Sequence, residues 1–446
     1  MSLVTSLYVG QSGLDASTTE LSVVGDNIAN SSTVGFKAAR TVFSDEMAQQ
    51  LVGANGQMGL GVSTMTIQKL FSQGGFTTTG LSTDVAIQGN GMLVVKGNQG
   101  GVDGTFYTRN GQLTIDKDGY LTNLNGLRVQ GLQADAAGTV TSGLLGDLEV
   151  GNASAPAKAT DSITIRGNLN QAAPPTDAGF KVDDAKDTSN FNTTMTVYDS
   201  LGNPIQLNIY FCKKDPADYT TATDSGEWTY HVLTDGGNLS VDGAGNPTTA
   251  GTASEVATGE LDFDSDGRLV TNSTTLNNFN PKNATAPQKL TFNFGTGTSV
   301  AGGSGLDGLT QYAATSAVSF VTQEGSSSGS LSSISIGQDG TITGGFTNGQ
   351  TRTLGQFILA NFKAPDQLQR IGSTLYTETP QSGSPTLGTP STADRGSINA
   401  GTLEQSNVDI SAEFIRMIAA QRNFEANSKT LTTADQLLAE LMQIKR

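Results

Sequence analysis

The chain has 446 residues, of which 55 are glycine, and its formal net charge is −16 at pH 7. An acidic surface repels phosphate backbones, which argues against nucleic-acid binding, and the single cysteine, Cys212, excludes an internal disulfide. The first residues lack the basic start and apolar core of a secretory signal, and no apolar stretch reaches the roughly 18–20 residues of a membrane span.

The first predicted element is a helix over residues 1–35, the N-terminal half of an inner arm. Apolar residues recur in it in alternating steps of three and four, which is the seam of a coiled coil. Gly10 and Ser17 interrupt this seam, and glycine at position 35 marks the end of the segment. The residues expected to serve in assembly are Leu3, Leu7, Leu14, Leu21, Val24 and Ile28.

The interior is predicted to be β throughout, after an extended or β linker over residues 36–75. Residues 76–145 and 301–377 alternate short apolar runs with turns, which predicts one discontinuous first β domain. Residues 146–300 are richer in loops and predict an inserted outer β domain, so that β-barrel-like or β-sandwich-like domains are nested. Hairpin turns with positive φ at both central positions are predicted at Asp118-Gly119, Asp266-Gly267, Asp339-Gly340 and Asn110-Gly111.

A flexible link over residues 378–400 precedes a second predicted helix over residues 401–446, the C-terminal half of the arm. Ser406 with Asp409 resembles a capping box near its start. The rhythm of the first helix recurs along it, interrupted by polar residues at Gln421, Ser428 and Asp435. The expected assembly residues are Ile410, Phe414, Met417, Ile418, Phe424, Leu431, Leu438 and Leu441.

Each apolar seam is too narrow to form a globular core alone, so the two helices need a partner. They are predicted to pair as a coiled-coil-like arm, either complete within one molecule or complete only against neighbouring subunits. The interruptions favour the second alternative. Because ordering such arms costs conformational entropy, they are expected to be disordered before assembly. The fold class is therefore multidomain and mainly β, with α-helical termini.

Few residues in the sequence are typical of catalysis or metal binding. His231 is the only histidine and lies in an alternating strand, and one His with one Cys cannot build a metal cage or a nucleophilic triad. The stretch "DFDSDGRL" from residue 262 matches the first half of a calcium loop, but Ser273 stands where a bidentate Glu is needed. A hairpin turn is favoured there over a calcium site. Cys212 is expected to be a buried strand residue rather than a reactive thiol.

Long ordered blocks of the sequence resemble the bacterial flagellar rod and hook protein family. "SGLDASTTELSVVGDNIANSSTVGFKAAR" resembles the opening of these proteins, "IQGNGMLVV" and "YTRNGQLTIDKDGYLTN" resemble their first β domain, and "GTLEQSNVDISAEFIRMIAAQRNFEANSKTLTTADQLLAEL" resembles their C-terminal arm. The residues that carry the resemblance are Asn27, Asn30, Gly35, Phe36, Lys37, Gln405, Asn407, Gln421, Arg422, Asn427 and Asp435.

The resemblance implies a structural polymer without cofactors or enzymatic activity. The large insert with "VYDSLGNPIQL" resembles the family's hook members, whose subunits polymerise into a curved hollow tube that transmits motor torque from rod to filament. The implied partners are other copies of the chain, the distal rod, the hook cap, the hook–filament junction protein and the flagellar type III export apparatus. The implied location is the extracellular hook of the flagellar basal body, reached without a cleaved signal peptide.

Two other functions remain open at this point. One is a distal rod protein with an unusual insert, and the other, from a different class, is a secreted β-rich adhesin. An adhesin has no need for paired heptad termini, whereas both axial proteins need them.

Overall fold

The chain is described by a computed structural model over residues 3–47, 59–135, 137–176, 179–219 and 226–444. From the N-terminus the elements are α1 (Leu3–Ala29), β1 (Ala39–Met47), β2 (Gly59–Lys69), β3 (Phe76–Thr78), β4 (Val85–Gln88), β5 (Met92–Gln99), β6 (Val102–Thr108), β7 (Leu113–Ile115), β8 (Leu121–Asn123), β9 (Arg128–Ala134) and β10 (Val140–Asp147).

Next come β11 (Ser154–Ala155), β12 (Ser162–Asn168), β13 (Phe191–Tyr198), β14 (Pro204–Lys213), β15 (Gly226–Asp235), β16 (Ala253–Phe263), β17 (Leu269–Asn277), β18 (Thr291–Asn293), β19 (Leu309–Thr310) and β20 (Ala317–Gln323).

The final elements are β21 (Gly329–Ile336), β22 (Thr341–Phe346), β23 (Thr351–Phe357), β24 (Leu359–Asn361), β25 (Gln369–Gly372), β26 (Leu375–Thr377), β27 (Thr386–Gly388), β28 (Ser397–Ala400), β29 (Thr402–Glu404) and α2 (Ile410–Ile444). The fold is thus mainly β with a helix near each end, as the sequence predicts. Among the described helices, none is long and apolar enough to cross a membrane.

The chain divides into two compact units. Unit 1 contains residues 1–153, 331–345 and 351–446, and unit 2 contains residues 154–330 and 346–350. The main sheet of unit 1 runs in the order β21-β22-β23-β9-β5-β6-β26-β25. Its core includes Met92, Val94, Ile358 and the edge-to-face pair Tyr107 and Phe362, whose ring centroids are 4.8 Å apart.

Unit 2 is built on an antiparallel sheet in the order β13-β14-β15-β16-β17 and a second sheet around β12. Alternating apolar residues on the strands point into one core, as period-two patterning requires. Trp228, Tyr230 and Phe211 are fully buried at its centre, and Phe292 and Phe294 contact Tyr230. The domain is thus closed by aromatic packing despite the low aromatic content of the chain.

The observed units differ from the predicted boundaries of the insert. Unit 2 continues to residue 330, whereas the insert is predicted to end at residue 300. The reason is strand pairing across a long stretch of sequence, because β12 pairs with both β19 and β20. The link predicted over residues 378–400 also contains strands, since β27 pairs with β24 and β28 pairs with β4.

Both terminal helices are shorter than predicted. α1 ends at Ala29, and α2 begins only at Ile410 because the preceding residues form β29, which pairs with β3. The predicted capping box is wrong in its first member. The Asp409 carboxylate accepts the Ser411 and Ala412 amide N–H groups at 2.9 and 3.2 Å, so Asp409 itself is the N-cap.

The Asp-Gly turns lie where they are predicted, but their geometry differs from the prediction. Gly119, Gly267 and Gly340 have φ of 83°, 75° and 78°, while the preceding aspartates are not among the described non-glycine residues with positive φ. Only one left-handed position is therefore present, as in a type I turn followed by a glycine bulge. In the "DFDSDGRL" turn, Arg268 Nε donates to Asp264 and Arg268 Nη2 to Asp266, so an arginine neutralises these carboxylates.

Candidate assembly site

The two terminal helices pack against each other in antiparallel orientation within unit 1. Near the end of α1, Asn27 Nδ2 donates to Glu413 Oε2 in the first turn of α2 at 3.2 Å. Toward the start of α1, Gly10 lies against the Asn427 carbonyl and the Leu431 side chain. The C-terminal end of one helix thus faces the N-terminal end of the other.

Small residues make the close contact between these helices. Gly10, Gly13 and Ser17 are buried on α1, and Ala420 and Ala434 are buried on α2. A Cβ added to Gly13 would lie 2.5 Å from Asn427 Nδ2, so a larger residue would have to displace the Asn427 side chain. Gly10, which the sequence pattern presents as an interruption of a leucine seam, is therefore part of the contact itself. Ser17, the second interruption, is buried on the same helix.

The predicted seam of α1 is only partly buried in the single chain. Val24 is buried, with 3% of its surface exposed. The four residues at seven-residue spacing, Leu7, Leu14, Leu21 and Ile28, are half-buried. The Leu3 side chain lies outside the described residues.

The predicted seam of α2 divides into two sets. Met417, Leu431 and Leu438 are half-buried, whereas the large apolar residues nearer its start are exposed by 40–51%: Ile410, Phe414, Ile418 and Phe424. Leu441 lies outside the residues whose side chains are described. In the single chain these residues therefore do not share one buried row, and their role in assembly stays a prediction.

These residues do not share one buried row because one of the two predicted rows of α2 is displaced by one residue from the row that packs on α1. The prediction takes Phe414, Gln421, Ser428 and Asp435, at seven-residue spacing, as one row of the face. The buried row is instead Glu413, Ala420, Asn427 and Ala434, in which Asn427 is half-buried. Small and polar residues turn toward α1, and Phe414 turns away from it.

A buried ionic cluster joins the arm to the β part of unit 1. Lys37 Nζ and Glu404 Oε1 are 2.6 Å apart, and Arg109 Nη1 lies 3.2 Å from Glu404 Oε2. The side chains of Lys37 and Glu404 are fully buried, and that of Arg109 is 5% exposed. Glu404 Oε1 also accepts the Gly74 amide N–H, and its carbonyl accepts that of Gly35. Glu404 therefore binds three chain segments, around Lys37, Gly74 and Arg109.

The electrostatics of this cluster are unbalanced, because two cations share one carboxylate. Burial lowers the pKa of the Lys37 ammonium from its usual value, although the adjacent Glu404 acts in the opposite direction. Burial likewise lowers the pKa of the Arg109 guanidinium. Arg109 Nη2 donates to the Gly89 carbonyl at 2.7 Å, and Lys37 Nζ to the Ser72 carbonyl at 2.8 Å. These carbonyls help to compensate the second positive charge.

Two asparagines stabilise the chain segments around the cluster. Asn27 exchanges two hydrogen bonds with the Ala39 backbone, at 2.7 and 2.9 Å, where the chain turns from α1 into β1. Asn407 accepts the Ala38 N–H at 2.8 Å and donates to the Leu70 carbonyl at 2.8 Å. These side chains replace backbone partners in irregular segments, so the polar groups are satisfied.

The other family-motif residues fall into two groups. Gly35 has φ of 70°, and a Cβ there would lie 2.6 Å from the Asn110 amide nitrogen. Phe36 is buried, and the Asn30 side chain forms hydrogen bonds with Asp26 and Thr33. The backbone N–H of Gln405 donates to the Gly75 carbonyl at 2.7 Å. Gln421, Arg422 and Asp435 are exposed on α2. The first group shapes the junction, and the second contributes nothing to burial within one chain.

Sequence reasoning missed Arg109, Glu404 and Glu413 as members of this site. They lie in the quoted family blocks, but no local spacing connects them to residues almost 300 or more positions away. Among the described residues, no group of three or more His, Cys, Asp or Glu is arranged to hold a metal ion. His231 stacks on Phe180 with centroids 3.9 Å apart, and Cys212 is fully buried.

Four protein-family models match the chain. They are the flagella basal body rod protein model over residues 7–37, the flagellar hook protein FlgE/F/G D1 domain over 86–170, the flagellar basal body protein FlaE D2 domain over 168–326 and the flagellar basal body rod FlgEFG protein C-terminal model over 399–444.

Full-length relatives are similar to the whole chain. The flagellar hook protein FlgE of Salmonella typhimurium is 34% identical over 97% of this chain and 98% of its own length. Those of Borreliella burgdorferi and Brucella abortus are also 34% identical, covering 99% and 100% of this chain and all of their own. A crystal structure of the Helicobacter pylori hook protein FlgE2 covers 74% of this chain and 100% of its own, at 16% identity and a TM-score of 0.48.

Proposed function

The chain belongs to the bacterial flagellar hook protein family, and from this premise we propose that it is the repeating subunit of a curved, hollow hook. In this role copies of the chain polymerise through their helical arms, and the tube acts as a universal joint that passes torque from rod to filament. The distal rod alternative accounts for the insert less well, because hook proteins match the chain, insert included, over their whole length.

The observation that carries the proposal is the exposed apolar face of α2. Ile410, Phe414 and Ile418 follow one another at intervals of four residues and are exposed by 46%, 47% and 51%. Fully burying such a side chain stabilises by roughly 1.5–3 kcal/mol, so covering the remaining half contributes about 1 kcal/mol for each residue. Several such contacts with each neighbour make a polymer more stable than separate chains.

The buried ionic cluster gives this subunit a firm connection for force. Torque applied to the β part of unit 1 reaches the arm through the segments that Glu404 binds together. A buried charge pair resists separation because breaking it leaves an uncompensated charge, at about 3–5 kcal/mol. The cluster therefore supports a subunit whose arm and adjoining β domain move as one body.

Unit 2 is suited to an outer layer that slides rather than sticks. It has 19 acidic and nine basic residues, a formal net charge of −10. Like charge on neighbouring copies opposes tight contact between these domains, which helps a tube to bend while it rotates. The subunit in this proposal has no catalytic role and binds no cofactor.

The remaining partners follow from the same role. The subunit leaves the cell through the flagellar export apparatus, without a cleaved signal peptide, and is added beneath a hook cap. The finished tube contacts the distal rod at its base and the hook–filament junction protein at its end.

Electron microscopy tests the proposal directly. Concentrated full-length protein is expected to form tubes, and a chain lacking residues 410–446 is expected to remain monomeric. Cells without the gene should carry rods but neither hooks nor filaments. Normal hooks in such cells, or a truncated chain that polymerises as well as the full one, would contradict the proposal.

A further inference from the structure

A second feature of the arm lies on the side away from the exposed apolar residues. A cavity of about 250 Å³ opens between α1, α2 and the β1–β2 hairpin. Its walls come from Gly13 and Ala16 of α1, Val62 and Phe43 of the hairpin, and Asn427 of α2. Small residues leave space here, and Phe43 remains 36% exposed at the rim. The cavity is large enough to take a branched or aromatic side chain.

Phe414 and Ile418 face away from the Asn427 wall of the cavity, whereas Arg422 lies four residues before Ala426 of the cavity wall and so on the same side of α2. Ile418 and Asn427 are nine residues apart, which at 3.6 residues per turn places them on opposite faces of α2. Ile418 of one copy therefore cannot enter the cavity of the same copy. A tube with open helical growth needs such an arrangement, because its contacts join two different patches rather than one patch to itself.

The charges around the two patches are complementary. α1 contains Asp15, Glu20 and Asp26 but no lysine or arginine, and Glu20 lines the cavity. On the hairpin, Asp45 lies directly opposite Val62. The apolar face carries Arg422, four residues after Ile418 and exposed. Among the described residues Arg422 makes no ion pair, so it is free to meet an acidic neighbour.

We propose that the α2 face of one copy, formed by Phe414, Ile418 and Arg422, seats in the acidic cavity of the next copy, with Arg422 near Glu20. This inference rests on the proposed function and adds to it the two surfaces that meet. The apolar side chains fill the cavity, and the charges select the orientation in which one copy approaches another. Charge complementarity of this kind acts mainly on the rate and specificity of association.

Charge reversal tests the pairing. Glu20→Arg and Arg422→Glu should each lengthen the lag before tube formation by about tenfold or more, since like charges then meet. The chain carrying both changes restores the pairing and should recover most of the original rate. Lys117→Glu, the control for Arg422→Glu, also replaces a positive by a negative charge, but on a turn residue whose side chain is 90% exposed. It should leave the lag unchanged. Single reversals that assemble normally, or a double variant slower than both, would overturn the proposal.

Cysteine cross-linking gives a second test that does not depend on rates. Along the helix axis Ile418 lies level with residue 22 of α1, although its side chain points away from α1, and the Val62 amide donates to Ser12 of α1 at 3.2 Å. The two positions therefore lie about 15 Å apart along the helix of one copy. A disulfide needs Cα atoms within about 7 Å. Tubes of a chain carrying both Ile418→Cys and Val62→Cys should therefore yield a ladder of linked copies, and neither single variant should.

The outcomes separate the two proposals. If the wild-type chain forms tubes, but the double-cysteine chain gives no ladder and charge reversal does not change the lag, the two surfaces are rejected and polymerisation is not. Failure of the wild-type chain to form tubes under any condition would reject the proposed function, and the surfaces with it.

Discussion

Glu404 is the residue on which the junction between arm and β domain depends. Its carboxylate is fully buried between Lys37 and Arg109. Glu404→Gln keeps the shape of the side chain but leaves two buried cations without a counter-charge. We expect the free energy of unfolding, measured by urea denaturation of the monomer, to fall by about 3–5 kcal/mol.

The matched control is Glu324→Gln, which removes the carboxylate of an exposed pair with Lys158. Exposed pairs contribute only about 0–1 kcal/mol, so this variant should unfold almost as the wild type does. Equal effects of the two changes would show that the buried cluster contributes little to stability.

Ser373 and Thr374 occupy a turn that is unusual for their residue types. They form the two-residue loop between β25 and β26, with φ of 51° and 59°. Non-glycine residues, and β-branched ones above all, are strained in this region. The double change Ser373→Asn with Thr374→Gly supplies the residues that such a turn prefers. We expect it to raise stability by about 1–2 kcal/mol, seen as a higher Tm. An unchanged or lower Tm would argue that strain here is negligible.

At this scale the sequence predicted little of the site. Gly35, Phe36 and Lys37 were identified by family resemblance, but the partners of Lys37 were not. Glu404 lies 367 residues from Lys37, and a single sequence contains no local signal for a pair so distant. The Asp-Gly turns were predicted well because Asp-Gly is a local signal. The predicted hairpin at Asn110-Gly111 is wrong, because the strands on either side of it, β6 and β7, do not pair with each other. Turn type was not predicted correctly, because it depends on how the flanking strands pair.

Among the elements, α2 packs one face on α1, and we propose that a second face contacts neighbouring copies. Phe414→Ala is expected to lower monomer stability by no more than about 1 kcal/mol, because the side chain is 47% exposed, yet to slow polymerisation strongly. Circular dichroism of the monomer and light scattering of the assembly reaction measure the two effects.

The contrasting variant is Ala420→Phe at the buried contact with α1. Ala420 is fully buried, so a large side chain there separates the helices and should lower the helix content of the monomer. If Phe414→Ala destabilised the monomer as much as Ala420→Phe does, Phe414 would belong to the internal contact instead.

The helices illustrate why periodicity predicts an element better than its orientation. Apolar steps of three and four residues correctly predicted both helices. They did not predict whether the two helices pack in antiparallel orientation. The seven-residue periodicity of α2 fits two neighbouring rows, one that begins at Glu413 and one that begins at Phe414. Hydrophobicity alone predicts that the row with Phe414 is the buried one. In the structure the face that contains Glu413 packs on α1, because the Glu413 carboxylate accepts a hydrogen bond from Asn27 and because the small Ala420 side chain lets the two helices approach closely. Only the partner helix decides between these faces.

For the whole molecule, the net charge of −16 opposes association of identical copies. At physiological ionic strength, salt largely screens the repulsion between exposed charges that are more than about 8–10 Å apart. We expect tube formation to become faster as sodium chloride rises from about 10 to 300 mM. A parallel experiment with Arg422→Glu should show a weaker recovery, because its local repulsion lies in the contact. Assembly that slows with added salt would indicate that attraction between charges dominates instead.

At the same scale, the division of the chain into domains was partly readable. The turn-rich insert is recognisable by composition, but its end is not, because β19 and β20 join β12 through pairing over more than 140 residues. Local composition changes little between residues 300 and 330. A boundary set by long-range strand pairing is not encoded in any one stretch of the sequence.

The central claim is that the arm completes its burial only against neighbouring copies. Hydrogen exchange of the amides in residues 410–444, compared between monomer and assembled tube, tests this most directly. The account predicts rapid exchange along this segment in the monomer and strong protection in the tube, with the core strands of unit 2 protected equally in both. Strong protection of residues 3–28 and 410–442 in the monomer, unchanged on assembly, would contradict it.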